Sequence, residues 1–434
     1  MSNNRTLPFK THPLREAIYD ELHIRPFHVV STPHQLSHLA TRATKEEQDR
    51  AHQHLCDLCR RYSVNQPAPE AVTFQQDFGE FTVHWERHVE FYSITVLHAG
   101  NFSGEPFEHT VINLLPADWL ASLPGETVAA FHLMIGDHTL ANDPESFNRY
   151  FEGQRLSMSQ ARDGKALIAT AFRLHGDGYG RFIIQNLGMS DIQIGRLTRR
   201  IIEMETYRLL AQLSLPLAKQ IGPQLSEMDR SLAEVLALVP QLESAEEERK
   251  MLQTLTRKEA KLEMWRAGTN RRFSGSRAYH KIVLQRIEGI SEGKVEGYPM
   301  ISEFMNRRLF PALTTLESVQ SWMEDLSRRI ERASDLLRTR VNLTLQEQNS
   351  HLLATMNKRS QLQFRLQETV EGLSVVAISY YIIGLLGYLL NGLPLEQWHL
   401  SKPVILAGAI PLVVLLVWWI IRRIKRKLIK DPNV

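Results

Sequence analysis

Cysteine is nearly absent: the 434-residue chain has two, Cys56 and Cys59. Two thiols cannot build a disulfide framework. His52 and His54 precede this C-x-x-C pair, but no second C-x-x-C and no H-x-x-x-H follows it, so structural cysteines on a helix are the plainer account. Also missing are G-x-x-x-x-G-K-[ST], G-x-S-x-G and H-E-x-x-H. Their absence argues against the common phosphate-loop, serine-hydrolase and zincin chemistries. The stretch MSNNRTLPFKTHPLREAIYDELH lacks an apolar core long enough for a secretory signal, so a cytoplasmic body is expected. A net charge of +3, much of it in the C-terminal tail, is too small to point to nucleic acid.

What the chain does have is two long uncharged apolar runs near its end, Leu373 to Leu390 and Pro403 to Ile421. At about 1.5 Å per residue each can cross a hydrocarbon core of roughly 30 Å. Everything before Leu373 is too polar to insert. Lys358, Arg359 and Arg365 precede the first run, and Arg422, Arg423, Lys425, Arg426, Lys427 and Lys430 follow the second, whereas the loop between them offers only Lys402 against Glu396. Basic residues stay cytoplasmic, so both termini are expected inside, with membrane lipids the first partner. Trp398, Trp418 and Trp419 sit where interfacial rings belong.

Residues 1–70 read as a mostly helical entry, with helices over His12 to Phe27 and Thr44 to Tyr62 and a break at Gln66 to Glu70. From about Ala71 to Leu187 the period becomes two. Phe81, Val83, Trp85, Val89 and Phe91 alternate with polar residues, which predicts an antiparallel sheet. Further strands are expected at Thr110 to Leu115, Thr127 to Ile135, Lys165 to Leu174 and Arg181 to Gln185. Short helices are expected at Ala117 to Ser122 and Asp143 to Phe151, and HGDGYG (His175 to Gly180) reads as a hairpin loop. Beyond Ser190 the helical period returns. Helices are expected over Ile192 to Leu213 and Gln224 to Ala267, interrupted by Pro216, Pro223 and Pro240, with turns at Gly268 to Ser276 and Gly289 to Pro299.

The last helix, expected from Ala312, has the sharpest pattern. Leu316, Val319, Met323, Leu326, Ile330, Ala333 and Leu337 step by three and four, a heptad seam. After a stutter through Val341 and Leu345 the count resumes at Gln348, Leu352, Thr355, Arg359, Leu362, Leu366, Thr369 and Leu373. Carried into the membrane it reaches Ala377, Tyr380, Gly384, Gly387 and Asn391. Unbroken to Leu390, this helix would be roughly 115 Å long. The small and polar stripe could line a pore in a ring of identical subunits, or let the second span pack closely.

His84, Glu86 and His88, with Glu90, share one face of a strand. Imidazole and carboxylate suit a divalent metal, yet neighbours on one strand rarely complete a shell, and a solvated face is the plainer expectation. Arg87, on the apolar side, needs a carboxylate partner. No other cofactor is indicated.

Taken whole, HPLREAIYDELHIRPF, HWERHVEF and LRTRVNLTLQEQNSHLLATMNKRSQLQFRLQETVEGLSVVAISYYIIGLLGYL resemble a bacterial family of unknown function, the domain of unknown function 3422 family. The last third is also similar in layout to CorA-type magnesium channels. That resemblance implies a homo-oligomer in the bacterial inner membrane, with a cytoplasmic α/β domain, a long pore-lining helix and a basic inner tail. Where those channels carry Gly-Met-Asn, this chain reads Gly387, Tyr388, Leu389, with Asn391 two residues on. The expectation is an α+β cytoplasmic domain (1–189), a long helical stalk (190–372), a two-helix transmembrane hairpin (373–421) and a basic tail (422–434). Ion transport along an axial pore is one function, and a membrane-anchored scaffold or sensor for a cytoplasmic partner is the alternative. A metal-dependent enzyme built on the histidine strand is the third.

Overall fold

A computed structural model describes residues 9, 11–15, 18, 19, 29–100, 105–141, 143–242, 244–391 and 402–430, with 425–430 by backbone alone. Most of the first expected helix lies outside these residues, as do the loop carrying Glu396 and Trp398 and the tail's last basic side chains. The chain forms two units, 1–241 with 253–334, and 242–252 with 335–434.

A nine-stranded sheet organises the first unit, in the order β2-β3-β4-β1-β5-β8-β7-β6-β9. The strands are β1 (His34–Arg42), β2 (Thr73–Asp77), β3 (Thr82–Arg87), β4 (Phe91–Ala99), β5 (Glu126–Gly136), β6 (Ser157–Ala161), β7 (Ala166–Thr170), β8 (Gly180–Asn186) and β9 (Glu292–Lys294). β5 and β8 run parallel while their other neighbours are antiparallel, so the sheet is mixed. The expected hairpin at His175 to Gly180 joins β7 to β8, with Gly178 at φ +81°.

β1 is a strand within the stretch expected to be mostly helical. It pairs with β4 on one side and β5 on the other, near the middle of the sheet. Its sequence HQLSHLATR does not alternate in hydropathy because both faces are covered, and its Ser37, His38 and Thr41 side chains are buried with hydrogen-bond partners. Thr110 to Leu115 is also not a strand. It forms a 3-10 turn, Val111–Leu114, which buries Val111 and Ile112, an outcome periodicity cannot separate from a strand in so short a run.

One sheet face is packed by α1 (Lys45–Arg61), the 3-10 turn and α2 (Ala117–Ala121). Val83, Trp85, Tyr92, Ile94 and Val96 meet Leu55, Leu58 and Trp119 there. Thr44 caps α1 through a capping box with Glu47, which satisfies two otherwise orphan N–H groups. Arg87 reaches back to this helix, donating to Gln48 Oε1 at 3.0 Å and pairing with the exposed Asp49 at 2.5 Å. The other face is covered by α3 (Asp191–Gln212), which buries Ile194, Leu197, Ile201 and Met204.

The helices that follow are α4 (Leu215–Leu238), α5 (Ala245–Ile290), α6 (Ile301–Asn391) and α7 (Lys402–Lys430). Two expected breaks do not occur. Gly268 lies inside α5, where Phe273 and Ser276 are buried and Thr269 donates to the Trp265 carbonyl at 2.8 Å, so packing outweighs glycine's helix cost of about 1 kcal/mol. Pro223, expected as an interruption, lies inside α4. The last helix starts at Ile301 rather than at Ala312, with Pro311 inside it. Pro216, expected as an interruption, instead begins α4, where its fixed φ suits the first turn.

The seam from Leu316 to Ala333 is filled by the chain's own first unit. Those residues are buried, and beside them Arg329 pairs with Asp229 at 2.6 Å and Trp322 Nε1 donates to the same carboxylate at 3.3 Å. In the second unit Arg340 pairs with the buried Glu248 at 3.4 Å.

Trp85→Ala should lower stability by about 3–5 kcal/mol, the usual cost of emptying a large aromatic site, while Val89→Ala, on an 89% exposed residue, should stay within about 0.5 kcal/mol. Urea unfolding followed by far-ultraviolet circular dichroism checks the pair.

Candidate functional site

The histidine face of β3 is enclosed under α3, which corrects the expectation of a solvated face. His84 is buried, and Glu86 and His88 are half-buried. His84 Nε2 stands 3.9 Å from Glu86 Oε1, and His88 Nε2 stands 3.7 Å from Glu86 Oε2. Each imidazole thus faces a different carboxylate oxygen. Among the described residues no group of three or more His, Cys, Asp and Glu side chains is arranged to hold a metal ion. Burial alone would raise the Glu86 pKa, but the attraction of His88, His84 and Arg199 outweighs it and holds the carboxyl at about 2. At 3.7 and 3.9 Å the two imidazole contacts exceed ordinary hydrogen-bond length, so these rings act on Glu86 chiefly through charge.

Sequence reasoning missed His38, which β1 brings into the same cluster. Its Nδ1 is 2.8 Å from Thr95 Oγ1 and its Nε2 is 3.1 Å from Thr206 Oγ1 on α3, so both ring nitrogens are engaged. Burial drives its pKa down to about 3, against the attraction of Glu86, so the ring is neutral at pH 7. His38, His84, Glu86, Thr95, Thr198 and Arg199 line a cavity of about 50 Å³, room for a water molecule or a small ion. Glu86 Oε1 and Thr198 Oγ1 have no protein hydrogen-bond partner. The site can hold charge and order a small polar guest, but it presents no accessible nucleophile.

A second missed histidine lies on β5. His132 Nδ1 is 2.7 Å from Ser37 Oγ, its Nε2 is 3.9 Å from Asp177 Oδ2, and its ring stacks on Tyr179 at 4.2 Å. Arg181 pairs with Asp177 and Glu152, each at 3.1 Å, and so fixes the HGDGYG loop. The order serine, histidine, aspartate suggests a hydrolase, but Ser37 is 0% exposed and cannot meet a substrate. Burial lowers the His132 pKa to about 4. Cys59 is likewise inert, its thiol pushed up to about 11 by burial and by Cys56.

The expected membrane stripe divides. Two helices of the second unit are long and apolar enough to cross a membrane, and only 11% of each apolar window is buried, unlike the core helix of a soluble protein. In α6 the buried positions Ser379 and Leu390, and in α7 Val413 and Val417, mark the sides on which the two helices meet. A Cβ on Gly387 would lie 3.9 Å from Leu406 of α7, so Gly387 belongs to that contact. Ala377, Tyr380, Gly384 and Asn391 are exposed, and nothing lies within 4 Å of a Cβ on Gly384. Four of the five candidates therefore share an open side of the span.

The uncovered surface continues down the helix. Leu345, Leu352, Met356, Leu362, Leu366, Val370 and Leu373 are 49–73% exposed. At 3.6 residues per turn they fall, with Val341, within roughly 120° of arc, and Ala377, Tyr380, Gly384 and Asn391 fall within the same arc. The side facing α7 lies outside it.

A family model described as "Protein of unknown function (DUF3422)" matches residues 10–428. The chain belongs to the DUF3422 family. No curated protein and no solved structure matches it. What can be said of this DUF3422 protein's chemistry therefore rests on its own residues.

The buried histidines make its first unit acid-sensitive. In the unfolded chain they protonate near 6.5, whereas the fold holds His38 neutral to about 3 and His132 to about 4. The unfolded state binds more protons across that interval, so their stabilisation is fully present above 6.5 and is lost as pH falls. Each buried histidine contributes a slope of up to about 1.4 kcal/mol per pH unit. His132→Asn should reduce the pH slope of unfolding free energy between pH 6 and 4.5. An unaltered slope would refute the assignment.

Proposed function

We propose that this protein is a homo-oligomeric bacterial inner-membrane protein of CorA-like layout, in which copies of α6 surround an axis along which ions pass. Both termini lie in the cytoplasm, and the sheet-bearing unit is the cytoplasmic body. One observation carries the reading: the α6 stripe from Val341 to Asn391 is apolar, regular in period and uncovered by the chain's own helices.

A second copy is the occupant that fits. Two hairpins in one membrane hold their α6 helices parallel, so identical stripes meet in register. Covering Leu345, Leu352, Met356, Leu362, Leu366 and Val370, which precede the span and are each about half or more exposed, would supply on the order of 6 kcal/mol, at about 1 kcal/mol each, before the entropic cost of association. Lipid cannot cover Leu345 to Leu366, which precede the span. The basic residues flanking the spans support the orientation.

The alternative, a membrane-anchored scaffold or sensor without transport, draws on Tyr388 and Leu389, which offer no amide to a hydrated cation where the channels carry Gly-Met-Asn. The scaffold reading uses the hairpin as an anchor only and requires neither the assembly nor conduction.

Oligomeric mass in detergent is the first test, since a monomer removes the axis outright. Leu352→Cys should cross-link between copies on mild oxidation, whereas Gln361→Cys, on the opposite side of the helix, should remain at the background set by the native thiols. Equal cross-linking at both positions would contradict the parallel, in-register contact. A conducting assembly in planar bilayers supports the channel reading, and a silent one supports the scaffold.

A further inference from the structure

Resting on the homo-oligomeric reading above, we infer that Arg359 forms a basic ring on the axis and that the path selects small inorganic anions rather than divalent cations. The leucines fix which way the helix faces, and that rotation fixes Arg359. It lies three residues after Met356 and three before Leu362, in the middle of the roughly 120° apolar arc. From 341 to 391 the other charged side chains are Glu347, Lys358, Arg365, Glu368 and Glu371. All five fall outside the arc at 3.6 residues per turn. Arg359 is therefore the one charge that covering the stripe would bring inward.

Nothing on its own helix neutralises it. The positions three and four residues away are Thr355, Met356, Leu362 and Gln363, none a carboxylate, and no ion pair to Arg359 occurs among the described residues. A parallel neighbour brings a second Arg359 to the same level. Converging guanidinium groups with no carboxylate repel one another and raise the affinity for an anion between them. A guanidinium keeps its charge in proteins, so the repulsion persists. The ring lies fourteen residues before Leu373, about 21 Å along the helix on the cytoplasmic side of the span. Further along the arc, Ala377, Tyr380, Gly384 and Asn391 supply no negative charge to restore cation preference. Rings of Arg or Lys are the usual device for passing anions.

The test uses the full chain in two arms. Oxidative cross-linking of Leu352→Cys establishes whether the assembly exists. Reversal potentials in planar bilayers under a potassium chloride gradient then read selectivity. The expected result is a wild-type reversal potential on the chloride side, moved toward zero by Arg359→Gln and to the potassium side by Arg359→Glu, with Leu352→Cys cross-linking retained in all three backgrounds. A cross-linked assembly that is cation-selective, or whose selectivity Arg359→Glu leaves in place, overturns the anion assignment and spares the oligomer. Loss of cross-linking in the wild-type background overturns the oligomer itself. A cross-linked but silent wild type overturns conduction, and the anion path with it.

Discussion

An apolar stripe cannot stay in water on a helix that has no other reason to be stable there. Leu345 to Leu366 form such a stripe on a segment of α6 that the chain's own helices leave bare. Between Val341 and Asn357 the segment carries a single formal charge, Glu347; amides and hydroxyls fill most of the other positions, with His351, Ala354 and the exposed Leu343 and Leu353 among them. That composition suits a helix meant to pack against like helices more than one solvated alone, where charged pairs at i and i+4 normally lend support. Below this segment the same stepping by threes and fours is satisfied inside the first unit, with Leu316, Met323, Leu326 and Ile330 buried and Asp229 holding Arg329 and Trp322. One helix therefore uses one kind of pattern twice, first inside its own chain and then where the chain provides no cover.

The sheet poses the opposite problem, polar groups where water is excluded. β1 places Ser37 and His38 on opposite faces, and each finds a partner on another element: His132 on β5 for the serine, Thr95 on β4 and Thr206 on α3 for the histidine. Keeping the imidazoles neutral avoids the cost of a buried charge. Glu86 remains ionised because His84, His88 and Arg199 surround it, and α3 secures the lid through Arg199, whose Nε donates to Glu203 at 2.9 Å, while Arg286 of α5 holds the other oxygen of Glu203. The cluster thus ties β3, β1, α3 and α5 together by charge where apolar packing would tie them less specifically.

Legibility in the sequence followed how strongly one face differed from the other. The membrane runs and the seam of α6 were plain, because apolar and polar sides are sharply separated. β3 was plain for the same reason, although its polar face proved to be covered. β1 was hidden since both of its faces are buried and six of its nine side chains are polar; its only trace was the mixture of His, Ser and Thr with Leu at two-residue spacing. Gly268 and Pro223 misled because local propensities of about 1–3 kcal/mol are small against the packing of a long helix. The histidine cluster was half legible. His84, Glu86 and His88 were visible at strand spacing, but His38 joins them only through pairing across β4.

The first span shows how one helix serves two contacts. Ser379 and Leu390 are buried on the side toward α7, and Gly387 meets Leu406 there, so this glycine permits close approach within a hairpin. Ala377, Tyr380, Gly384 and Asn391 remain on the open side, at the angle of the stripe that precedes the span. Had the hairpin used the stripe face, the bare helix below would end against its own second span and no common axis could pass through the membrane. Because the two contacts occupy different sides, a neighbour covering Leu352 and Leu366 would also meet Ala377 and Gly384. In such a contact the small side chains would set how closely the copies approach, and the bulk of Tyr380 where that approach must stop.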